Sequence, residues 1–389
     1  MPRLLIDGTP VVPNPKGVGR YAYNLCLQLS KRLPEDWSLQ ILVNRGSVSV
    51  FPEELRAQLI PVEPVSELAR AFLVIPKQVN QLKSQLLLKT DDSAGHVRRV
   101  PTVAICHDID DFIVEAQGES RSLFRSALDT CKRYYRRQAL RRSDFVVCNS
   151  KFTREAVRTQ YGIEHSKTAV AYCAVDPRFY KISSATDQAA VRRRYLVASY
   201  VLAFATGDPR ENSRCYPALA ARMAGMGLNT CLLVAGIKHG APYANALRAE
   251  FKRLGLIEGR HFVFEEFLGE DRFRDLAELY TAADFYLELS LHEGFGMQLI
   301  EAMACGTTCI SSPRGALAEI GNRFVFLVDP TNVDEIASTV KRAYEGKLHL
   351  RDNHEQVQYA TTYSWERVGS TVAEILLQVA ADRLGVITD

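Results

Sequence analysis

The chain has 389 residues, of which 47% are hydrophobic and 24% are charged, and its formal net charge is +3. This length exceeds one typical hydrophobic core, so two domains of ordinary size are expected. The small net charge argues against a nucleic-acid-binding protein.

The first half of the chain alternates between short apolar runs and segments with helical periodicity. Strands are predicted at 3–7, 102–108 and 144–150, and helices at 21–33 and 151–162. This alternation is typical of parallel sheets whose strands are connected by crossover helices. Segment 62–100 has no clear periodicity and receives no assignment.

The same alternation resumes after residues 176–188, DPRFYKISSATDQ, which we interpret as a linker. Strands are predicted at 200–207, 230–236, 284–290 and 307–312, a helix at 274–283, and a last helix at 363–381. The sequence therefore predicts two successive α/β domains.

Two glutamates, Glu293 and Glu301, flank a glycine turn in the segment HEGFGMQLIEAMACG, residues 292–306. The turn follows a predicted strand and precedes a predicted helix, which places it at the carboxyl edge of a sheet, where α/β proteins bind ligands. The N–H groups that begin such a helix favour a phosphate, and the glutamates are placed to accept hydrogen bonds from neighbouring sugar and ribose hydroxyls. A glycine turn between two solvated glutamates is the alternative interpretation.

The segment EGFGMQLIEAMACG resembles the Glu-x7-Glu signature of retaining GT-B glycosyltransferases of family 4. Weaker similarities follow in the order of that family: GVGRYAYNL (17–25), ICHD (105–108), ALRRSDFVVCNSKFTREAV (139–157), DPREN (208–212) and SWE (364–366). The resemblance implies a GT-B fold with two Rossmann-like domains facing a central cleft. Residues 1–180 would form the acceptor side, residues 196–362 the nucleotide-sugar side, and residues 363–389 a helix crossing back to the first domain.

The resemblance also implies roles for individual residues. Catalytic roles fall to His107, Glu293 and Arg210, with His107 near the reacting carbon and Glu293 on the hexose hydroxyls. Donor binding falls to a larger set, in which Glu301 contacts the ribose and the backbone of the glycine turn faces the sugar and diphosphate: Gly17, Gly19, Arg210, Glu293, Gly294, Phe295, Gly296, Met297 and Glu301. Taken without the resemblance, a histidine at the end of a strand is more often structural.

The implied function is retaining transfer of a hexose from a nucleotide sugar, such as GDP-mannose, UDP-glucose or a dTDP-deoxysugar, to a hydroxyl group. The acceptor would be a glycan, a glycolipid or a small molecule in polysaccharide or glycolipid assembly. Neither a cofactor nor a metal is expected. The segment DID (108–110) matches the metal motif of the other glycosyltransferase fold, but the GT-B match of the same His-Asp is favoured over it.

Several residues depart from the family pattern near the donor. Glu211 replaces an expected lysine, Gln298 replaces a proline, and the segments YCAVD (172–176) and FEE (264–266) replace two expected turns. These changes leave open a non-catalytic nucleotide-sugar binder or partner subunit. An NAD-dependent oxidoreductase is a third hypothesis, but no Gly-x-Gly-x-x-Gly follows a predicted strand with an acidic residue about twenty positions later.

The expected location is the cytoplasm. The first ten residues, MPRLLIDGTP, do not resemble a signal peptide, and no run reaches the ~18 apolar residues of a membrane span. Nine cysteines without a Cys-x-x-Cys pair indicate reduced thiols. The basic segment 131–144 predicts either a solvated helix face, which is favoured, or peripheral contact with anionic lipid at the inner face of the membrane.

Overall fold

The computed structural model of the chain describes residues 2–13, 17–93, 97–109, 123–266, 272–348 and 353–385. These residues divide into two compact units. The first unit contains the described residues up to Ala174 together with those from Ser364 onward, and the second contains those between Val175 and Tyr363.

The described part of the first unit contains a sheet of seven strands, all pairing in parallel, in the order β3-β2-β1-β4-β5-β6-β7. Most of these strands are nearly continuous apolar runs, as expected when helices cover both faces of a parallel sheet. In chain order they are β1 (Arg3–Asp7), β2 (Ser38–Asn44), β3 (Leu59–Val62), β4 (Leu86–Lys89), β5 (Thr102–Cys106), β6 (Phe145–Cys148) and β7 (Thr168–Val170).

Helices connect these strands. They are α1 (Gly17–Leu29), α2 (Glu67–Ala69), a π-helical turn (Arg70–Val74), α3 (Ile75–Leu82), α4 (Leu123–Arg142) and α5 (Lys151–Tyr161). Short 3-10 helices occur at Arg45–Val50, Glu53–Gln58 and His165–Lys167.

The second unit contains a sheet of six described strands, also parallel, in the order β10-β9-β8-β11-β12-β13. The strands are β8 (Tyr200–Phe204), β9 (Cys231–Ala235), β10 (Phe262–Glu265), β11 (Phe285–Glu288), β12 (Cys309–Ser311) and β13 (Val325–Leu327). The Phe251 and Phe262 rings stack at 4.1 Å in its core.

The helices of the second unit are α6 (Arg178–Ala185), α7 (Gln188–Arg194), α8 (Tyr216–Gly225), α9 (Pro242–Arg253), α10 (Arg272–Ala282), α11 (Met297–Ala304), α12 (Leu317–Gly321), α13 (Val333–Tyr344) and α14 (Asn353–Thr361). Short 3-10 helices occur at Pro209–Glu211, Ser213–Cys215 and Asn322–Phe324.

The last helix, α15 (Trp365–Leu384), belongs to the first unit and packs against α1. The rings of Trp365 and Tyr21 lie 5.7 Å apart, edge to face. Near the other end of α15, Arg383 Nη2 lies 2.8 Å from Asp144 Oδ1. An aromatic contact and an ion pair therefore hold both ends of the helix on the first unit.

The predicted α/β class is confirmed, with two parallel sheets, but two segments differ from their assignments. The interpreted linker, 176–188, contains α6, where Phe179 is completely buried and its ring lies 5.8 Å from that of Phe273. The unassigned segment 62–100 contains β4, which lies between β1 and β5 in the middle of its sheet. In both cases burial, which local periodicity does not show, determines the structure.

Candidate active site

The predicted glycine turn joins β11 to α11 in the second unit. Gly296 precedes α11 with φ of 92°, and a Cβ at this position would lie 2.5 Å from Leu317 Cδ2. Both the left-handed backbone and the close contact therefore require glycine. The first N–H groups of α11 have no acceptor within the helix, so its N-terminus is suited to an anion.

A second glycine, which the sequence reasoning missed, supports Glu293 from the loop after β12. Gly315 has φ of 63°, and a Cβ there would lie 2.2 Å from the Glu293 carbonyl oxygen. The neighbouring Ala316 N–H donates to that oxygen at 2.8 Å. The signal in the sequence is Pro313, Arg314 and Gly315 following a strand, which indicates a turn. This loop fixes the backbone of Glu293.

The segment DPREN lies against the loop that carries Glu293. The Leu291 N–H donates to the Arg210 carbonyl at 2.7 Å, which joins the two segments through the backbone. The Arg210 side chain contacts Asp208, with 2.7 Å between Nη2 and Oδ2. Burial alone would raise the pKa of Asp208, but the hydrogen bonds from Arg210 outweigh it and lower that pKa.

Glu211, which occupies the position of an expected lysine, binds the end of β8. Its Oε2 accepts from the Thr206 N–H at 2.6 Å, and its Oε1 accepts from the Thr206 hydroxyl at 2.7 Å. Burial nevertheless raises the pKa of Glu211, with smaller contributions from Asp208 and Glu288. The site therefore favours proton uptake at this carboxylate.

Three glutamates line one small pocket of the second unit: Glu211, Glu288 and Glu293. Gln298 lines the same pocket. Glu288 is buried at the end of β11, where it accepts from Tyr286 Oη at 2.7 Å and from Ser290 Oγ at 2.6 Å. Burial raises the pKa of Glu288. The sequence reasoning did not select Glu288, although a carboxylate within the apolar run FYLEL was a detectable signal.

Glu301 lies farther inside the unit than the sequence suggested. It is in the second half of α11, only 2% of its surface is exposed, and Tyr280 Oη lies 3.4 Å from its Oε2. Phe295, between the two glycines, is also buried, and its ring lies 5.9 Å from that of Tyr363. Gly294 and Met297 complete the predicted turn, with Met297 as the first residue of α11.

In the first unit, His107 follows β5 at the carboxyl edge of the sheet. Its Nε2 lies 2.9 Å from the Thr90 carbonyl, which can only accept, so Nε2 carries the proton. The ring also contacts Tyr21 edge to face at 4.8 Å. Burial lowers the pKa of His107, which favours the neutral imidazole.

The predicted glycine loop of the first unit leads into α1. Gly17 is the first residue of this helix with φ of 37°, and a Cβ there would have no atom of the described residues within 4 Å. Gly19 is buried within the first turn of the helix. Among the described residues, the structure therefore leaves space beside Gly17.

The alternative metal motif is only partly described. Asp108 Oδ1 accepts from the Ile109 N–H at 2.8 Å, whereas Asp110 lies outside the described residues. Within the described ranges, no group of three or more His, Cys, Asp or Glu side chains is arranged to hold a metal ion. Among the same residues, no helix combines the length and apolar character needed to cross a membrane.

Two parallel α/β units, with a glycine turn at a sheet edge of the second, are the elements from which the GT-B fold is built. The model of the family described as "Glycosyltransferase Family 4" matches residues 15–179 of the chain. The model of the family described as "Glycosyl transferases group 1" matches residues 219–362. The chain belongs to the group 1 glycosyltransferases of the GT-B fold. The predicted resemblance and the predicted GT-B fold are thereby confirmed.

Known proteins of this class resemble the chain, some over a short segment of sequence and others over the whole fold. The MMP alpha-(1->4)-mannosyltransferase of Mycolicibacterium hassiacum is 35% identical over 106 residues, which cover 25% of this chain and 26% of that protein. The chain thus spans about a quarter of the length of this curated relative. The sucrose-phosphate synthase of Thermosynechococcus elongatus superposes with a TM-score of 0.72 and 16% identity, covering 98% and 99% of the two chains.

A further solved structure with this fold contains ligands. Anabaena HepE in complex with UDP and glucose has a TM-score of 0.66 and 18% identity, and the match covers 97% of this chain and 100% of that one.

Proposed function

We propose that the chain transfers a hexose from a nucleotide sugar to a hydroxyl acceptor with retention of anomeric configuration. The observation that carries this proposal is the constrained turn at Glu293, which is held by Ala316 on one side and precedes the N–H groups that begin α11. The mannosyltransferase relative supports hexosyl transfer. The UDP and glucose bound by HepE support a nucleotide-sugar donor.

In this proposal the second unit binds the donor. The N–H groups that begin α11 donate to the diphosphate, helped by the helix dipole. Glu293 accepts from hexose hydroxyls and Glu301 from the ribose, with Tyr280 orienting the Glu301 carboxylate. Arg210 supplies positive charge near the phosphates when its guanidinium group contacts the diphosphate as well as Asp208. Gly17, at the start of α1, permits close approach of a ligand to the first unit.

The reaction breaks the bond between the hexose anomeric carbon and the diphosphate oxygen. The acceptor oxygen forms a new bond to the same face of that carbon, and its proton passes to the departing phosphate. Negative charge develops on the diphosphate, so fixed N–H donors at the α11 N-terminus stabilise the transition state. His107, held neutral, contacts the transferred sugar. No metal or cofactor is required by this assignment.

A panel of nucleotide sugars tests donor binding. A ligand that binds only the folded state raises apparent stability, by about 2.7 kcal/mol when present at 100 times its Kd. We expect one of GDP-mannose, UDP-glucose and a dTDP-deoxysugar to raise the Tm, and the Glu293→Ala variant to lose this shift. The control is Glu250→Ala, because Glu250 lies on α9 of the same unit and does not line the three-glutamate pocket. No shift with any donor would contradict the proposal.

A second candidate function is a nucleotide-sugar binder that does not transfer. The observation that favours it is the pocket with Glu211, Glu288 and Glu293. The three carboxylates would repel the negative charge that develops on the diphosphate when the sugar is transferred. Release of nucleoside diphosphate from a bound donor distinguishes the two functions. A transferase releases it by transfer or hydrolysis, whereas a binder does not release it.

The proposal also includes peripheral contact with the cytoplasmic face of a membrane. The exposed large hydrophobic side chains of the first unit include Phe72, Leu73, Tyr134 and Tyr135, and α4 adds a run of basic residues beside the tyrosines. Apolar and basic groups together favour anionic lipid surfaces. We expect cosedimentation with vesicles containing phosphatidylglycerol, and loss of binding when Phe72 and Leu73 are both replaced by serine. Equal sedimentation of both proteins would contradict it.

A further inference from the structure

Two aromatic side chains connect the last helix of the chain to His107 within the first unit. Tyr21 of α1 is completely buried, and its ring contacts the imidazole of His107 edge to face, with 4.8 Å between the ring centroids. The same tyrosine ring contacts Trp365, the first residue of α15, at 5.7 Å. Two ring contacts therefore lead from α15 through α1 to the histidine that follows β5.

Hydrogen bonds at the carboxyl edge of the sheet hold the backbone and one ring nitrogen of His107. Its Nε2 donates to the Thr90 carbonyl at 2.9 Å, and the Thr90 hydroxyl donates to the Asp7 carbonyl at 2.6 Å. Asn149 Nδ2 donates to the His107 carbonyl at 2.8 Å. A single hydrogen bond to the ring does not fix its tilt, so the plane of the imidazole depends on the packing of Tyr21.

The polar atoms of the two aromatic side chains do not explain their positions. Tyr21 Oη lies 3.4 Å from the Ala171 carbonyl, which is long for a hydroxyl donor. Burial raises the pKa of Tyr21 well above its ordinary value, so the hydroxyl keeps its proton. Trp365 Nε1 is buried and has no hydrogen-bond partner among the described residues. The contribution of both residues is therefore the packing of their rings, which is directional in edge-to-face pairs.

The helices that carry these rings are in close contact beyond the rings themselves. A Cβ at Gly369, one turn after Trp365, would lie 2.4 Å from Gln28 Cβ of α1. Beside this contact, Arg32 Nε donates to Ser370 Oγ at 3.2 Å. Because α15 is fixed on α1 in this way, its first turn holds Trp365 against the tyrosine ring.

The burial of the imidazole determines how it can bind a ligand. Burial lowers the pKa of His107 and outweighs the Thr90 carbonyl and the carboxylates of Asp91 and Asp108, which raise it. In the neutral ring with its proton on Nε2, Nδ1 is an acceptor. The tilt that Tyr21 imposes on the ring thus sets the direction in which Nδ1 accepts a hydrogen bond.

We propose that Tyr21 and Trp365 are positioning residues, which fix the plane of the His107 imidazole and thereby act on sugar transfer rather than on donor binding. The inference rests on the proposed transferase function, in which His107 contacts the transferred sugar. It extends that function by giving the last helix of the chain, α15, a part in the transfer step.

NMR of the full chain with isotope-labelled histidine tests the positioning directly, and the His107 signal is identified by its loss in His107→Ala. The Tyr21→Leu variant should show a higher pKa of His107, closer to the ordinary value of about 6.5, because leucine leaves the imidazole more open to water. Tyr21→Phe retains the ring and should leave this pKa unchanged. Tyr23→Leu is the matched control, because Tyr23 lies on the same helix but packs against the Phe51 ring at 5.5 Å.

Transfer kinetics with the donor that raises the Tm measure the consequence. Tyr21→Leu should lower kcat about tenfold to a hundredfold, as misplacement of a reacting group by about 1 Å does. The Kd of the donor should change less than about twofold. Trp365→Ala should lower kcat to a smaller degree, because its ring acts on the imidazole only through Tyr21. In a His107→Ala background neither substitution should lower kcat further, since residues that act through one another are not additive.

An unchanged His107 titration in Tyr21→Leu, a loss of donor affinity parallel to the loss of transfer, or equal losses of kcat with and without His107 would each overturn the inference. If Tyr21→Leu does not fold, Tyr21→Met takes its place, because methionine fills irregular space without a ring. The titration also separates this inference from the proposed function. A shifted His107 titration without any transfer by the wild type would reject the proposed function alone.

Discussion

Replacement of Glu211 by glutamine tests how the donor pocket tolerates a carboxylate at a position where the family has lysine. Glutamine has the same shape, and its amide can accept from the Thr206 N–H and donate to the Thr206 hydroxyl. The contacts of 2.6 and 2.7 Å that the carboxylate makes with Thr206 are therefore retained. Only the negative charge is removed, so a change in donor affinity reports that charge.

The magnitude follows from Coulomb's law. A phosphate charge about 6 Å from a carboxylate is repelled by roughly 3 kcal/mol at an effective dielectric constant of about 20. Burial raises the pKa of Glu211, which favours the protonated form and reduces this repulsion. We therefore expect the variant to have a lower Kd for the donor, with a gain below this upper value of roughly 3 kcal/mol.

Calorimetric titration between pH 5 and 8 measures the effect. The folded protein keeps the Glu211 proton at pH values where an ordinary carboxyl group, with a pKa near 4.5, has lost it. The wild type should consequently bind donor more tightly, and be more stable, as the pH falls toward this value. The Glu211→Gln variant should show a weaker dependence on pH. Unchanged donor affinity in the variant at pH 8, with a Glu250→Gln control on α9 also unchanged, would show that Glu211 does not face the diphosphate.

Four further predictions concern the remaining site residues. Glu301→Gln should weaken the binding of the donor and of free nucleoside diphosphate alike, by about 1.5–3 kcal/mol. Unchanged affinities in calorimetric titration would show that Glu301 does not contact the ribose. His107→Ala should reduce transfer far more than nucleotide binding, whereas parallel losses would make His107 structural. Gly315→Ala should lower the free energy of unfolding by about 1–3 kcal/mol in urea titrations and weaken donor binding, because its Cβ would lie 2.2 Å from the Glu293 carbonyl oxygen. Gly346→Ala is the control and should leave donor binding unchanged, because Gly346 has φ of 65° but no atom of the described residues would lie within 4 Å of its Cβ. Transfer should persist in EDTA, and loss of activity with rescue by manganese would support a metal site at residues 108–110.

The sequence predicts those parts of the fold in which local pattern and burial agree. Strands such as Arg3–Asp7 and Cys231–Ala235 are apolar runs bounded by polar or glycine residues, and the structure contains both. The central strand Leu86–Lys89 is not predicted from the sequence, because its short apolar run follows a region without periodicity. The helix Arg178–Ala185 was interpreted as part of a linker because its stability comes from burial of Phe179.

In the candidate site, too, some features follow from local sequence pattern and others appear only in the folded structure. The Glu293 turn was predictable because glycine, a preceding strand and a following helix are adjacent in the chain. The contact of Glu211 with Thr206 and the support of Glu293 by Gly315 depend on side-chain direction and on a loop about twenty residues later, which no local pattern contains.

The central claim is hexosyl transfer, and product analysis with a stabilising donor tests it most directly. The full chain is incubated with the nucleotide sugar that gives the largest Tm shift and with methyl α-D-mannoside, and the products are followed by proton and phosphorus NMR. We expect equal amounts of nucleoside diphosphate and a new glycoside that keeps the anomeric configuration of the donor, and neither product with Glu293→Ala. Donor binding without any release of nucleoside diphosphate, even with the protein in stoichiometric amount, would contradict it.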